Sequence, residues 1–261
     1  MAPLPPGSTI GILGGGQLGR MLAMAGARLG LKSHIYCPDA DSPAFQVADG
    51  HTIAAYEDEA ALEAFAASVD AVTYEFENVP ATTAEILARH KPLRPGARAL
   101  AVSQDRLTEK TFMRDLGIAT APFADVASLE DLKAALSDIG TPSILKTRRF
   151  GYDGKGQTRI DTADDAAAAW QAVGEAPSIL EGFVDFEAEI SVIVARDTDG
   201  HVAAYDPARN AHRNHILDTS TVPSGYDSTV EAEARALAEK IATELDYVGA
   251  MGAELFVTST A

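Results

Sequence analysis

Short apolar runs alternate with amphipathic stretches through the first hundred residues, and that rhythm restricts the fold more than any other feature. "STIGILG" (8–14), "SHIYC" (33–37) and "AVTYEF" (71–76) read as buried strands. The spacing after them predicts helices from Gln17 to Leu29, over 58–68 and over 81–90. Strand–helix alternation of this kind produces a doubly wound parallel sheet covered on both faces. A further helix is predicted over 99–116, with Leu100, Val102, Leu107, Phe112 and Met113 as its apolar positions.

The second half changes character. "SILK" (143–146) and "QTRI" (157–160) are strands whose glycine-rich connection is short enough for a hairpin. Helices over 128–138 and 162–173 surround them, followed by strands over 178–184 and 187–197, a helix over 229–245 and a strand over 252–257. Strict alternation is gone, which predicts an α+β unit with antiparallel sheets. With 261 residues, 46% of them hydrophobic, the chain can fill one large or two ordinary domains.

Charge excludes several classes. Lys and Arg number 21 against 38 Asp and Glu, a formal charge of −17, which repels a phosphate backbone and argues against nucleic acid. The single cysteine, Cys37, allows no internal disulfide and suits a reducing compartment. "MAPLPPGST" lacks the basic and apolar segments of a secretory signal, and no run is long enough for a membrane span. A cytoplasmic protein without membrane partners is the expectation.

In so acidic a chain, "LKTRRFGYDGKGQTRI" (145–160) stands out, with its cations and three glycines. It is not a P-loop: Gly154-Lys155 is followed by Gly156 rather than a hydroxyl residue, and position 149 is arginine. It reads instead as a hairpin lid. Lys146 would lie under the loop with its ammonium available to a phosphate, and Gly151, Gly154 and Gly156 would let the backbone fold over an anion. "GGGQLG" (14–19) fits G-x-G-x-x-G between a strand and a helix, but Cys37-Pro38 stands where a dinucleotide site has an acidic residue. A dinucleotide, another phosphorylated ligand and tight packing alone all stay open there. "TYEFENVP" (73–80) ends a strand in Glu75 and Glu77, which alternation puts on one side near the ligand-binding edge of such a sheet.

"LEGFVDFEAEIS" (180–191) spreads Glu181, Asp185, Glu187 and Glu189 along two strands, where a carboxylate can accept from an adenine amine or a ribose diol. Solvated edge charge is the other reading. "NAHRNH" (210–215) offers His212 and His215, and a pair of loop histidines is more often neither ligand nor base. In "GAELFV" (252–257), alternation sets Ala253, Leu255 and Val257 on one face and Glu254 with Phe256 on the other. A carboxylate within an apolar strand calls for a partner, and magnesium is a natural one.

Together "GILGGGQLGRMLA" (11–23), "TYEFENVP", "QDRLTEKTFM" (104–113), "LKTRRFGYDGKGQ" (145–157), "LEGFVDFEAEISV" (180–192), "NAHRNHILDTSTVP" (210–223) and "GAMGAELFV" (249–257) resemble the ATP-grasp enzymes. More narrowly they resemble the carboxyaminoimidazole ribonucleotide synthase family of purine biosynthesis. The resemblance implies a pre-ATP-grasp domain over 1–98 and an ATP-grasp domain over 99–261, with a lid over about 121–183. It implies ATP held by Arg106, Lys146, the loop Gly151, Tyr152, Asp153, Gly154, Lys155, Gly156 and Gln157, adenine at Glu181, Gly182, Phe183 and Val184, and ribose at Glu189. His212 would lie close to the nucleotide, and Lys146, Tyr152, Lys155 and His212 would serve the chemistry. Glu254 would hold Mg2+, and Gln17, Leu18 and Glu75 would take aminoimidazole ribonucleotide, with bicarbonate as the other substrate. A homodimer is the implied assembly.

Two departures stand out. Arg209 replaces the family's usual glutamate before N-x-H. The chain ends at "FVTSTA", before the family's Asn-Glu strand and basic phosphate-binding residues, so residues 1–261 alone are expected to be inactive. Rival readings are a formate-dependent glycinamide ribonucleotide transformylase or a biotin carboxylase. Outside that class stand an NAD-binding oxidoreductase subunit, resting on 14–19 alone, and a nucleotide-binding module without turnover.

Overall fold

The computed structural model describes residues 3–151, 154–214 and 216–259, which divide into two compact units. One holds the chain up to Ala101 with Arg196–His201 and Thr243–Gly249; the other holds Val102–Ala195, Val202–Ala242 and the chain from Ala250. In chain order the first stretch forms β1 (Thr9–Leu13), α1 (Gln17–Arg28), β2 (Lys32–Tyr36), β3 (Gly50–Thr52), α2 (Glu59–Ala67), β4 (Ala71–Tyr74), α3 (Ala81–His90) and α4 (Ala97–Ser103). The strands make one parallel sheet in the order β3-β2-β1-β4. Successive residues serve opposite faces. Leu13 and Tyr36 pack with Leu62, Phe65, Val72 and Leu87 on one side, while Ile12 and Ile35 pack with Ala23 and Ala44 on the other. Burial on both faces is why these strands read as unbroken apolar runs.

The helix predicted over 99–116 is two helices, α4 and α5 (Arg106–Asp115). Asp105 between them is extended, and its Oδ1 accepts from the Leu107 and Thr108 amides at 3.0 and 3.2 Å. An aspartate cap starts a helix afresh, so the apolar spacing that spans the junction does not keep it continuous.

The chain continues through β5 (Phe123–Val126), α6 (Leu129–Ile139), β6 (Ser143–Thr147), β7 (Gln157–Ile160), α7 (Ala166–Ala172), β8 (Ser178–Gly182) and β9 (Ala188–Arg196). It ends with β10 (Val202–Ala204), β11 (Ala208–Arg213), β12 (Ile216–Thr221), α8 (Ser228–Glu244) and β13 (Gly249–Val257). β5-β8-β6-β7 is antiparallel throughout, and α6 and α7 cover it with Leu132, Leu136 and Trp170 against Leu145, Ile160 and Leu180. A second sheet runs β10-β9-β11-β12, with β13 also on β9. Parallel sheet first and antiparallel sheets second is the predicted class. No helix among the described residues is long and apolar enough to cross a membrane.

Candidate functional site

In the parallel sheet the strand order reverses direction at β1 and β4, and ligands of such sheets bind where the carboxyl ends of those neighbours meet. β1 delivers Gly14–Gly16 to that point and β4 delivers Glu75, whose amide donates to the Leu13 carbonyl at 3.0 Å. The Gly16 amide, at the start of α1, donates to Glu75 Oε1 at 2.9 Å. The anion niche expected at "GGGQLG" is therefore filled by the chain's own carboxylate, which corrects the dinucleotide reading of that loop. Gln17 and Leu18 follow on the first turn of α1, exposed. Glu75 and Glu77 both lie beyond β4, which ends at Tyr74. Glu77 lies exposed in the turn after β4, accepting from the Asn78 side chain at 3.2 Å.

Burial pushes the Glu75 carboxyl above its usual range, against the Gly16 bond, with the nearby Glu77 adding to the rise. The folded state thus holds this proton more tightly than the unfolded chain, so stability falls as pH rises through the raised pKa. Glu75→Gln keeps an oxygen for the Gly16 amide and removes the charge. Its melting temperature should match wild type at pH below the usual glutamate range and exceed it at neutral pH. Thermal unfolding across pH checks this; a variant less stable than wild type at neutral pH would contradict it.

The stretch expected to form a lid is the β6–β7 hairpin. Its neck closes through the Thr147 amide on the Gly156 carbonyl at 2.8 Å. Gly156 has φ +67°, and a Cβ there would meet Thr147 Oγ1 at 2.6 Å, so glycine is required at that position. Arg106 donates from Nη2 to the Gly151 carbonyl at 2.9 Å, and its amide donates to the Arg148 carbonyl at 3.0 Å. Arg148 pairs with Asp105 at 2.8 Å and Arg149 donates to Gln104 at 3.2 Å. These two arginines stitch the loop to the start of α5. Gly154 and the exposed Lys155 and Gln157 follow on the far side; Tyr152 and Asp153 lie outside the described residues.

At the base of the hairpin Lys146 Nζ lies 3.0 Å from Glu181 Oε2, and Lys110 Nζ lies 3.2 Å from the same oxygen. Burial pushes the Glu181 carboxyl up, but the two ammonium groups outweigh it and hold it below the usual glutamate range. Glu109 is the opposite case. Burial raises it despite Arg106, Lys110 and Lys146 nearby. After Glu181 the Gly182 and Phe183 amides donate to the Pro122 and Pro142 carbonyls at 2.8 and 3.2 Å, whereas no described group accepts from the Val184 amide. Sequence reading missed Lys110 and Glu109. Their signal was the i, i+4 placing of Lys110 after Arg106, which sets both cations on one face of α5.

The second sheet carries the remaining candidates. Glu189 Oε2 and His212 Nδ1 are 3.2 Å apart on the adjacent strands β9 and β11. Between them in sequence, buried Asn210 accepts from Ser220 at 2.9 Å and Ser191 at 3.4 Å, fixing the two strands. Arg209 points elsewhere, its guanidinium 5.8 Å over the Tyr226 ring, so its charge is engaged away from the Glu189–His212 pair. Asp185 and Glu187 are exposed in the β8–β9 connection, and His215 lies outside the described residues. Glu254 is exposed on β13 rather than confined in an apolar strand, because that edge of the strand alternates buried Ala253 and Val257 with open positions. No described cation pairs with it, so its oxygens can serve a divalent ion without first breaking a bond.

A family model described as a ribonucleotide synthetase preATP-grasp domain matches residues 7–104, and one described as an ATP-grasp domain matches 111–261. The chain is 53% identical over 256 residues to an N5-carboxyaminoimidazole ribonucleotide synthase of Brucella melitensis biotype 1, covering 97% of this chain and 71% of that one. It resembles a crystal structure of an N5-carboxyaminoimidazole ribonucleotide synthetase ADP complex with TM-score 0.93 and 40% identity, covering 98% of this chain and 68% of the other. A synthase from Aspergillus clavatus, solved with ADP and 5-aminoimidazole ribonucleotide, matches with TM-score 0.86 and 26% identity, covering 98% of this chain and 67% of that one.

Proposed function

Because this chain belongs to the N5-carboxyaminoimidazole ribonucleotide synthase family of ATP-grasp ligases, we propose that it carboxylates the exocyclic amine of 5-aminoimidazole ribonucleotide with ATP and bicarbonate. A bicarbonate oxygen attacks the γ-phosphorus, the bond to ADP breaks, and carboxyphosphate forms. The amine then attacks the carboxyl carbon, phosphate leaves, and the amine gives up a proton. Phosphoryl transfer of this kind is mainly positioning and charge neutralisation. The observation that carries the reading is Lys146 beside Glu181 at the base of a glycine-closed hairpin.

Lys146, Lys155 and the Gly151–Gly156 loop serve the phosphates, with Arg106 holding the neck of that loop. Glu181 and the Val184 amide, from which no described group accepts, suit the adenine edge, and Glu189 with His212 suits the ribose and its surroundings. Gln17, Leu18 and Glu75 are the proposed acceptor site. The exposed carboxylate of Glu254 fits Mg2+, which prefers six oxygens and takes most of them from phosphates and water. When bound there, magnesium supplies charge neutralisation on the transferring phosphate. The working domain division is 1–98 and 99–261, with the lid over about 121–183. A cytoplasmic homodimer completes the proposal, the exposed Met21, Leu22, Met24 and Leu29 on and just after α1 offering apolar surface for association.

The test is phosphate release by a chain that also carries the family's Asn-Glu strand and basic phosphate-binding residues, since residues 1–261 alone are expected to be inactive. Release should require bicarbonate and rise with aminoimidazole ribonucleotide; larger stimulation by glycinamide ribonucleotide with formate would favour the transformylase chemistry instead. Lys146→Ala removes a charge-assisted contact worth roughly 1.5–3 kcal/mol, so titration with a non-hydrolysable ATP analogue should show at least about a tenfold loss. Unchanged affinity would remove Lys146 from the phosphate site.

A further inference from the structure

Two ammonium groups converge on one oxygen, Glu181 Oε2, from different elements: Lys146 from β6 and Lys110 from α5. All three side chains are largely withdrawn from water, with 20%, 22% and 7% exposure for Lys146, Lys110 and Glu181. One lysine is enough to pair a carboxylate. A second is needed when the first has another partner to serve. Lys146 stands at the neck of the phosphate loop, whereas Lys110 stands one helical turn beyond Arg106, whose guanidinium is committed to the Gly151 carbonyl. The groups shown against this carboxylate are Lys110, Lys146 and Glu109, two cations and one further acid.

We propose that Lys110 is a specificity-determining positioning residue, holding Glu181 charged and oriented towards the adenine edge when Lys146 turns to the phosphates. This rests on the nucleotide reading above. Leaving the buried Glu181 carboxylate with no cation in the nucleotide-bound state is costly, so removal of Lys110 weakens binding of the base that Glu181 reads. A ligand whose base offers an oxygen in place of the amine gains nothing from an anionic Glu181 and is indifferent to Lys110.

The experiment compares ADP with inosine diphosphate, which carries the same phosphates but a 6-oxo group in place of the 6-amine. Calorimetric titration is run on wild type, Lys110→Met and Lys110→Arg, each with magnesium. Wild type should prefer ADP. Lys110→Met should lose about tenfold in ADP affinity with inosine diphosphate changed less than about twofold, and Lys110→Arg should restore the preference. Equal losses for both ligands would make Lys110 a phosphate contact or a fold element, and unchanged affinities would make it idle; either overturns the proposal. If Lys110→Met does not fold, Lys110→Gln takes its place under the same criteria. Wild type that binds neither nucleotide overturns the nucleotide reading itself, whereas a wild-type preference that survives in Lys110→Met overturns the Lys110 inference alone.

Discussion

Asp105→Ala is expected to destabilise the second unit by about 3 kcal/mol, lowering its melting temperature by roughly 6–12 °C. Two losses combine. The Leu107 and Thr108 amides at the start of α5 lose their acceptor, and Arg148 loses a bidentate partner at 2.8–3.1 Å. Both side chains are mostly buried, at 18% and 28% exposure, so the charge left on Arg148 is poorly solvated. Asp105→Asn separates the parts, because asparagine caps nearly as well but carries no charge. It should fall between wild type and alanine.

The sign of the pH dependence follows from Asp105. Burial pushes its carboxyl up, but the bonds from Arg148 and the α5 amides outweigh this and hold it below its usual value of 3.8. The ion pair therefore stabilises fully above that usual value and fades as pH falls through the lowered one. The gap between wild type and Asp105→Asn should be constant near neutrality and close in acid. Denaturant titration at several pH values measures it. A gap that persists unchanged in strong acid would mean that the pair contributes nothing. Since Arg148 and Arg106 hold the neck of the lid, Asp105→Ala should also weaken nucleotide binding.

This junction shows where sequence reading stops. Hydrophobic spacing carries across residues 99–116, and only the cap at Asp105 breaks it. That cap matters because of Arg148, 43 residues away, a pairing that local pattern does not encode. The buried strands of the parallel sheet were legible because each is apolar on both faces. β12 was not, since all its residues are exposed and it has no apolar alternation to detect. β3 and β10 have three residues each, too short for a period to register. In the site, "TYEFENVP" placed Glu75 correctly at the carboxyl end of β4. Alternation misled for Glu77, because β4 stops at Tyr74 and the rule applies only within a strand. For Glu254 alternation was right, with Ala253 and Val257 buried and Glu254 and Phe256 on the other face, but that face is open rather than enclosed. The Lys110–Glu181 contact joins a helix to a strand, so only the fold reveals it.

Gly14→Ala is the second large effect expected, again about 3 kcal/mol, and it tests why the glycine motif exists. Gly14 has φ +105°, a conformation that L side chains rarely adopt. A Cβ built there would lie 2.5 Å from Glu75 Oε1 and 2.8 Å from its Cγ and Cδ. Alanine must therefore strain the backbone and also drive Glu75 off the Gly16 amide, which frees the niche at the start of α1. If Glu75 alone accounts for the steric part, removing it should relieve that part while the backbone strain stays. The double variant Gly14→Ala, Glu75→Ala should then be less destabilised than the sum of the two singles by at least about 1 kcal/mol, the mark of residues in contact. Urea unfolding of the four proteins closes the cycle. Additivity within about 0.5 kcal/mol would mean that Glu75 does not occupy the crevice. Gly14→Ala should lose aminoimidazole ribonucleotide binding together with stability. Glu75→Gln should lose the binding without any loss of stability, because it leaves the crevice filled and removes only the charge.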